Sequence, residues 1–405
     1  MRVLFTVSGW QTHYAAMVPL GWALQAAGHE VRVGCPQSQA DNVAHAGLVP
    51  VPLGDGPDVT LANRLQHYGQ AVHGPWPYPW LPPHPVTGAP LDSLDDFDLD
   101  GFRRDVEPAL AAHARHRFDA AVRFAADWRP DLVLHDPTSL DGLLAARVTG
   151  VPSALCLWGL PGTHEAEPAR VVPRDVTGSF VRYGFGEFHP DMLEYVVDPC
   201  PASLAPPTTA GRLPVRYLPY SGGGQAPLWL LEPPARPRVC VAWSTALSAM
   251  FGPNTYLLPR LVHALADLDC EVFCTATAAD VAALGEVPPS VRVLSRFPLS
   301  LLLPTCAAVV HHGGAGTAMT ALWSGVPQLA VTFAAEQTVS GERIAAAGAG
   351  IHLFGHLADD AAIRAAVQDL VFTRGYRQRA QELRAELLAR PTPADLVVRL
   401  EKLVS

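Results

Sequence analysis

The heptapeptide His-His-Gly-Gly-Ala-Gly-Thr at residues 311–317 decides the fold of the C-terminal half of this chain. The apolar run before it, 306–310, predicts a buried strand, and the apolar stretch after it, 318–323, predicts a helix. Glycines let backbone N–H groups approach a ligand closely, and a helix N-terminus attracts negative charge. We therefore predict a diphosphate site. Its candidate residues are His312, Gly313, Gly314, Gly316 and Thr317.

Strand-like segments alternate with helical ones along the rest of the chain. The predicted strands are 2–7, 30–34, 131–135 and 151–158 in the first half, and 238–243, 271–275, 291–294, 307–310 and 328–331 in the second. Alternating strands and helices predict parallel, doubly wound sheets. The predicted fold class is thus α/β, with two Rossmann-like domains.

A segment rich in proline and glycine separates the two alternating patterns. This segment, 206–237, is the predicted linker between an N-terminal domain at 1–205 and a C-terminal domain at 238–390. A last helix follows at 391–405. Doubly wound sheets bind ligands beyond the carboxyl ends of their strands, so two such domains facing each other predict a ligand cleft between them.

The composition excludes several functional classes. The net charge of −9 over 405 residues argues against nucleic acid and against an anionic membrane surface. No apolar run approaches the ~20 residues needed to span a bilayer. The N-terminus reads as a strand and not as a signal peptide. The seven scattered cysteines predict reduced thiols in a cytoplasm.

The glycine heptapeptide and its flanks resemble those of the nucleotide-sugar glycosyltransferases of the two-domain GT-B class. Gly-Val-Pro-Gln at 325–328 and Ala-Glu-Gln at 335–337 strengthen the resemblance. Residues 1–31 and 217–240 resemble actinobacterial enzymes that attach deoxysugars to polyketide natural products. The resemblance implies a TDP-deoxysugar donor, a hydrophobic polyketide-like acceptor and a last helix that crosses back to the first domain. Several relatives use a helper protein, and the sequence leaves a helper protein or a homodimer open.

His13 is the candidate general base, which must take a proton from the attacking acceptor. It opens the helix after the first strand, where the helix N-terminus would keep the imidazole neutral. Asp136 follows the strand at 131–135 and would lie at the same sheet edge, on the other imidazole nitrogen. The alternatives are a helix-capping histidine, a turn formed by Asp136 with Pro137, and His135 in place of Asp136. The resemblance favours the His13–Asp136 dyad.

The resemblance also places sugar and nucleotide contacts in the second half. Glu336 and Gln337 would hold sugar hydroxyls, although a carboxylate at a helix N-terminus can serve stability alone. Arg296 and Phe297 match the base-binding loop, unless Phe297 is simply a core residue.

Two further positions bear on the nucleotide. The hydroxyls of Ser244 and Thr245 could reach a phosphate, although Ser244 replaces a glycine that is common in relatives. At Thr320, UDP-using relatives carry a glutamate that binds both ribose hydroxyls. A ribose without the 2′-hydroxyl would leave that carboxylate unpaired, so Thr320 suits TDP.

The acceptor site is less clearly marked. Trp76, Tyr78 and Trp80 lie in a proline-rich segment that is either a long loop or part of an acceptor pocket, and Trp158 ends a predicted strand. Asp96 and Asp98 have the spacing of a metal motif but follow no strand. We therefore predict an inverting transferase with no metal and no cofactor. The alternatives are a nucleotide-sugar 2-epimerase of the same architecture and a non-catalytic partner protein.

Overall fold

The computed structural model describes residues 1–244 and 246–404 and divides them into two compact units. Unit 1 comprises Met1–Pro57, Glu107–Gly222 and Ala385–Ser405, of which Ser405 is outside the described residues. Unit 2 comprises Asp58–Val106 and Gly223–Arg384.

Each unit is built on one parallel sheet. The strands are β1 (Arg2–Thr6), β2 (Glu30–Cys35), β3 (Pro50–Pro52), β4 (Leu132–His135), β5 (Ser153–Cys156), β6 (Tyr195–Asp198), β7 (Gly211–Pro214), β8 (Arg238–Ala242), β9 (Glu271–Ala276), β10 (Val291–Ser295), β11 (Ala308–His311), β12 (Gln328–Thr332) and β13 (Gly350–Phe354). Over the described residues the sheet orders are β3-β2-β1-β4-β5-β6-β7 and β10-β9-β8-β11-β12-β13. The predicted α/β class with two doubly wound domains is confirmed.

Helices connect and cover these strands. They are α1 (Gln11–Tyr14), α2 (Val18–Ala26), α3 (Ala40–His45), α4 (Val59–His73), α5 (Leu99–Asp105), α6 (Glu107–Trp128), α7 (Leu140–Thr149), α8 (Ser179–Arg182), α9 (Ala246–Phe251), α10 (Leu258–Leu265), α11 (Ala278–Leu284), α12 (Leu299–Leu302), α13 (Ala315–Ser324), α14 (Ala335–Ala346), α15 (Asp360–Phe372), α16 (Arg374–Ala389) and α17 (Pro393–Val404). None of the helices in the described ranges is long and apolar enough to cross a membrane.

The predicted linker at 206–237 contains regular structure. β7 lies inside it and pairs with β6 as an edge strand of the unit 1 sheet. The sequence does not predict β7, because only Leu213 of its four residues is buried and the strand therefore has no alternating apolar pattern. The division between the units falls later, between Gly222 and Gly223.

Residues 58–106 also differ from the predicted domain boundaries, because they group with unit 2 and not with the N-terminal sheet. The cause is apolar packing. Trp76, Tyr78 and Trp80 pack against the core of unit 2, which contains Phe251 and Phe333. Such contacts join positions more than 170 residues apart, which local sequence patterns do not reveal.

Helix α17 returns to unit 1 and packs against α2. Its apolar face, Leu396, Val397 and Leu400, is almost fully buried in the same core as β1 and β4. The last helix of the chain therefore stabilises the sheet that carries the N-terminal candidate residues.

Candidate active site

His13 lies in α1, directly after the loop that follows β1. Its ring stacks on Trp158 with 4.1 Å between ring centroids, and on Trp10 with 5.9 Å between centroids. Trp158 follows β5 and is 8% exposed, whereas His13 keeps part of its surface. The two indole rings limit the rotation of the imidazole and make its surroundings apolar.

Asp136 follows β4 and is completely buried. Its Oδ2 accepts a hydrogen bond from the backbone N–H of Ser8 (2.6 Å). Its Oδ1 accepts from the N–H of Thr138 (2.8 Å), the hydroxyl of Thr138 (2.8 Å) and the N–H of Ser139 (3.0 Å). The carboxylate thus ties the β1 loop to the start of α7.

The predicted direct contact between His13 and Asp136 is wrong in its detail. The hydrogen bonds of the described residues include none between the two side chains. Instead Nδ1 of His13 lies 3.2 Å from Oγ of Ser8 and 3.5 Å from Oγ1 of Thr138. Asp136 still acts on His13 through its charge.

Burial lowers the pKa of His13 below its ordinary value, and the Asp136 carboxylate opposes this shift. Desolvation by burial, and not the helix N-terminus expected from the sequence, is the main cause that lowers the pKa of His13. His135, the competitor, is fully buried, and burial lowers its pKa to about 4. Its ring lies against the carbonyl of Asp136 (3.1 Å), so it is inaccessible to an acceptor.

The glycine loop joins β11 to α13. Gly313 has a φ of 88°, and a Cβ there would come within 3.0 Å of Thr332 and Gln337, so only glycine fits. Its N–H donates to Nδ1 of His311 (3.0 Å). Gly314 is the N-cap of α13 and supplies no side-chain hydrogen bond. The first N–H groups of this helix point toward the loop, where a helix N-terminus favours an anion.

His312 lies beside this helix start. Burial lowers the pKa of His312 to about 4, although a hydrogen bond with Gln337 acts in the opposite direction. Its ring makes an edge contact with Trp243 after β8, with 5.8 Å between centroids. A neutral His312 can donate one hydrogen bond to a phosphate, but it brings no charge.

Glu336 and Gln337 occupy the first turn of α14. Burial raises the pKa of Glu336. The hydroxyl of Tyr78 donates to the carbonyl of Phe333, just before this turn. Burial, with the nearby Glu336 charge, raises the pKa of Tyr78 to about 12.

The aromatic segment therefore lies beside the predicted sugar contacts within unit 2. Tyr78 stacks on Trp80 (5.3 Å between centroids), and Nε1 of Trp76 donates to the carbonyl of Trp80 (2.6 Å). These side chains pack within unit 2. Their contact with an acceptor stays a prediction.

The remaining nucleotide candidates are also in unit 2. Arg296 is exposed and adopts a left-handed φ of 49°, and Phe297 is half-buried near Trp229. Thr320 is buried and donates to the carbonyl of Gly316 (2.7 Å). Ser244 directly follows Trp243 at the end of β8. Thr245 lies outside the described residues, and Thr317 is in the first turn of α13.

The two acidic residues with metal-motif spacing have structural roles. Asp96 accepts hydrogen bonds from the N–H groups of Asp92 and Ser93, and Asp98 caps α5 through the N–H of Gly101 (2.8 Å). No group of three histidine, cysteine or acidic side chains in the described part of the chain could hold a metal ion.

Sequence reasoning missed four residues around His13: Ser8, Trp10, Thr138 and Arg117. Buried Arg117 donates to the carbonyl of Val7 (2.8 Å) and pairs with buried Asp141 (3.2 Å), which supports the loop that carries Ser8. Thr138 could have been suspected, because a hydroxyl two residues after a strand-end aspartate often joins the same turn.

The structure collects the candidates into two sets. His13, Asp136 and Trp158 meet at the carboxyl ends of β1, β4 and β5. The glycine loop, Glu336 and Gln337 meet at the carboxyl ends of β11 and β12. A histidine base and an anion-binding helix start are the parts that a nucleotide-sugar glycosyltransferase requires.

Comparison with known proteins agrees with this class. Residues 101–244 match the N-terminal domain, and residues 259–403 the C-terminal domain, of the erythromycin biosynthesis protein CIII-like family. The chain is 34% identical to tylactone mycaminosyltransferase of Streptomyces fradiae, covering 100% of this chain and 93% of that protein. It is 35% identical to 10-deoxymethynolide desosaminyltransferase of Streptomyces venezuelae, covering 100% and 97%.

Solved structures lead to the same conclusion. The glycosyltransferase VinC in complex with dTDP superposes with a TM-score of 0.76 at 27% identity, covering 100% of this chain and 99% of that one. The spinosyn rhamnosyltransferase SpnG with thymidine diphosphate gives 0.76 at 28%, covering 99% and 100%. The chain is therefore a glycosyltransferase with the GT-B fold. It belongs to the erythromycin CIII-like family.

Proposed function

We propose that this enzyme transfers a deoxysugar from a TDP-sugar to a polyketide-type aglycone, with inversion and without a metal ion. The observation that carries the proposal is the environment of His13, whose ring stacks on Trp10 and Trp158 and whose pKa is lowered by burial and raised by the charge of buried Asp136. The named relatives transfer mycaminose and desosamine to macrolide aglycones, and two structural relatives bind thymidine diphosphate.

The proposed reaction is a single displacement. His13 accepts the proton of the acceptor hydroxyl, whose oxygen attacks the anomeric carbon from the face opposite the diphosphate. The bond between the anomeric carbon and the diphosphate oxygen breaks, and its electron pair leaves with the diphosphate. Attack from the opposite face inverts the anomeric configuration.

The leaving group requires charge stabilisation, which we assign to the start of α13. Backbone N–H groups of the glycine loop and the helix N-terminus provide fixed donors, and His312 adds a side-chain donor. These donors supply the stabilisation that a metal ion gives in other transferases. Glu336 and Gln337 would hold sugar hydroxyls at the start of α14.

The nucleotide preference rests on Thr320 and on the thymidine diphosphate complexes of relatives. The Thr320 hydroxyl donates its proton to Gly316, so it offers a nucleotide no charged acceptor. A ribose with a 2′-hydroxyl gains no charge-assisted partner at this position. Phe297 would contribute an apolar contact to the thymine methyl group.

Replacing His13 by alanine tests the base role. We expect turnover to fall by about two to four orders of magnitude, as for the loss of a general base, while TDP binding persists. Single-turnover assays and calorimetry with TDP measure the two quantities. Near-wild-type turnover on an unactivated hydroxyl acceptor would contradict the role.

An assay without acceptor distinguishes the proposed transferase from the alternative 2-epimerase. A TDP-sugar incubated without acceptor should stay unchanged at its C2 position, whereas a 2-epimerase would convert it. Mass spectrometry of TDP-sugars with macrolide and anthracycline aglycones identifies the preferred pair. A helper protein or a homodimer stays a prediction, which activity with and without an added partner would examine.

A further inference from the structure

We propose that Thr138 is a positioning residue that fixes the proton of His13 on Nδ1 and transmits the charge of Asp136 to the imidazole. The proposal rests on the base role of His13 proposed above. It replaces the usual direct histidine–carboxylate contact by a hydroxyl bridge. It predicts which imidazole nitrogen is the base.

The Thr138 hydroxyl carries a single proton. Oγ1 of Thr138 lies 2.8 Å from Oδ1 of Asp136 and 3.5 Å from Nδ1 of His13. An ionised carboxylate can only accept, so the hydroxyl proton points to Asp136. Only lone pairs of Oγ1 then face His13. A proton on Nδ1 makes this contact favourable and can also donate to Oγ of Ser8 at 3.2 Å, so we assign the imidazole proton to Nδ1 and the lone pair that meets the acceptor to Nε2.

The hydrogen bonds of Asp136 fix its carboxylate, so it does not replace Thr138 as the partner of Nδ1 of His13. Three backbone N–H groups, from Ser8, Thr138 and Ser139, bind its two oxygens at 2.6–3.0 Å. The same turn fixes Thr138 twice, through its N–H and through its hydroxyl. The bridge is therefore part of the junction between β4 and α7, and it does not depend on a flexible side chain.

The charged groups near Thr138 agree with a hydrogen-bonded path that runs from His13 to Asp136. Asp136 is the charged group that acts on His13. Behind Asp136, Arg117 from α6 and Asp141 from α7 form a buried pair with 3.2 Å between Nε and Oδ2. When His13 takes up the acceptor proton on Nε2, both nitrogens carry protons, and the Nδ1–H can donate to the bridge that ends at Asp136.

Ser8 offers a useful contrast. Its hydroxyl lies 3.2 Å from Nδ1 of His13, but only its backbone N–H binds Asp136. A Ser8→Ala variant removes a neighbour of His13 and keeps the bridge to the carboxylate. Thr138→Val removes the bridge itself at nearly constant side-chain volume.

The experiment compares Thr138→Val, Thr138→Ser and Ser8→Ala in the full chain. We expect Thr138→Val to lower kcat about 10- to 100-fold, the effect of one hydrogen bond to a charged group, with the Kd for TDP unchanged. The acid limb of its kcat–pH profile should move to lower pH, because the imidazolium loses stabilisation. Thr138→Ser should stay within about threefold of wild type, and Ser8→Ala should cost less than Thr138→Val.

Thr149→Val is the matched control for folding. Thr149 is the last residue of α7, and its hydroxyl donates to the carbonyl of Ala145 at 2.8 Å, about 14 Å along the helix from its first residue, Leu140. A second readout is independent of turnover. In ¹⁵N spectra of histidine-labelled protein, wild-type His13 should show the Nδ1–H tautomer, and Thr138→Val should show a larger fraction of Nε2–H.

Each contrary outcome has a distinct meaning. Wild-type kcat and pH profile in Thr138→Val would overturn the proposal, and so would equal losses in Thr138→Ser and Thr138→Val. A loss in Thr149→Val as large as that in Thr138→Val would assign the effect to folding and also overturn it. An active His13→Ala would instead contradict the base role itself, whatever Thr138 does.

Discussion

Gly316 is the position at which the diphosphate assignment can be tested most directly. It is the second residue of α13, and a Cβ added there meets no heavy atom of the described protein within 4 Å. A Gly316→Ala variant should therefore fold without rearrangement. If the first turn of α13 binds the diphosphate, the added methyl group enters the space that the phosphate oxygens need.

The two expected effects have opposite signs. Alanine in a helix is more favourable than glycine by roughly 0.5–1 kcal/mol, so the free energy of unfolding should rise slightly. One lost hydrogen bond between a backbone N–H and a charged phosphate costs about 1.5–3 kcal/mol. At ~1.4 kcal/mol per decade, the Kd for TDP should rise on the order of 10- to 150-fold.

Calorimetry with TDP and thermal unfolding without ligand measure the two effects. Gly375→Ala is the matched control, because Gly375 is the second residue of α16 and its added Cβ also meets nothing within 4 Å. It should gain stability and bind TDP like wild type. If Gly316→Ala also bound TDP like wild type, the diphosphate would not lie against the start of α13.

Two further predictions follow from Thr320 and from the buried histidines. TDP should inhibit about ten times more strongly than UDP against one labelled donor, because the 2′-hydroxyl of UDP would lose water and find no charged partner at buried Thr320, and an unsatisfied buried polar group costs about 1–3 kcal/mol; equal inhibition would contradict this role of Thr320. The folded protein should lose stability in acid, because burial lowers the pKa of His311 to about 3 and that of His312 and His135 to about 4, from an ordinary 6.5. The unfolded chain then binds more protons below pH 6.5, so the free energy of unfolding should fall from pH 6.5 toward 4; a constant value between pH 7 and 5 in denaturant titrations would show that these histidines are not buried as neutral groups.

The sequence predicts some strands well and misses others, among them the edge strands β3 and β7 and the inner strand β6. β1, β4, β8 and β11 are apolar runs buried on both faces, and their predicted bounds differ from the observed ones by at most one residue at each end. β3 reads Pro-Val-Pro, and β7 is a short edge strand with one buried side chain, so neither has a periodic pattern. Edge strands depend on pairing partners, which a local pattern does not contain.

In the candidate site, too, residues that are contiguous in sequence are predictable, whereas contacts between distant residues are not. The glycine loop is contiguous in sequence, so its helix start could be anticipated from residues 311–317. The surroundings of His13 are assembled from Trp10, Thr138 and Trp158, which lie as far as 145 residues away along the chain. The predicted strand order was enough to place His13 near Asp136. The Thr138 hydroxyl bridge could not be predicted in this way, because it depends on the direction of a single hydroxyl proton.

Topologically equivalent strands of the two sheets are followed by loops of different chemistry. β4 neighbours β1 in the first sheet, as β11 neighbours β8 in the second, and each of the two strands leads into a helix, α7 or α13. At the start of α7 the protein supplies its own anion, Asp136, which accepts from the N–H groups of Thr138 and Ser139. At the start of α13 the N-cap is Gly314, which brings no anion. A helix start already bound to a carboxylate can position a base, whereas one without a carboxylate can accept the charge that develops on a leaving diphosphate. The difference between a loop that supplies Asp136 after β4 and a glycine loop whose N-cap is Gly314 after β11 thus agrees with the division of chemical roles that we propose for the two units.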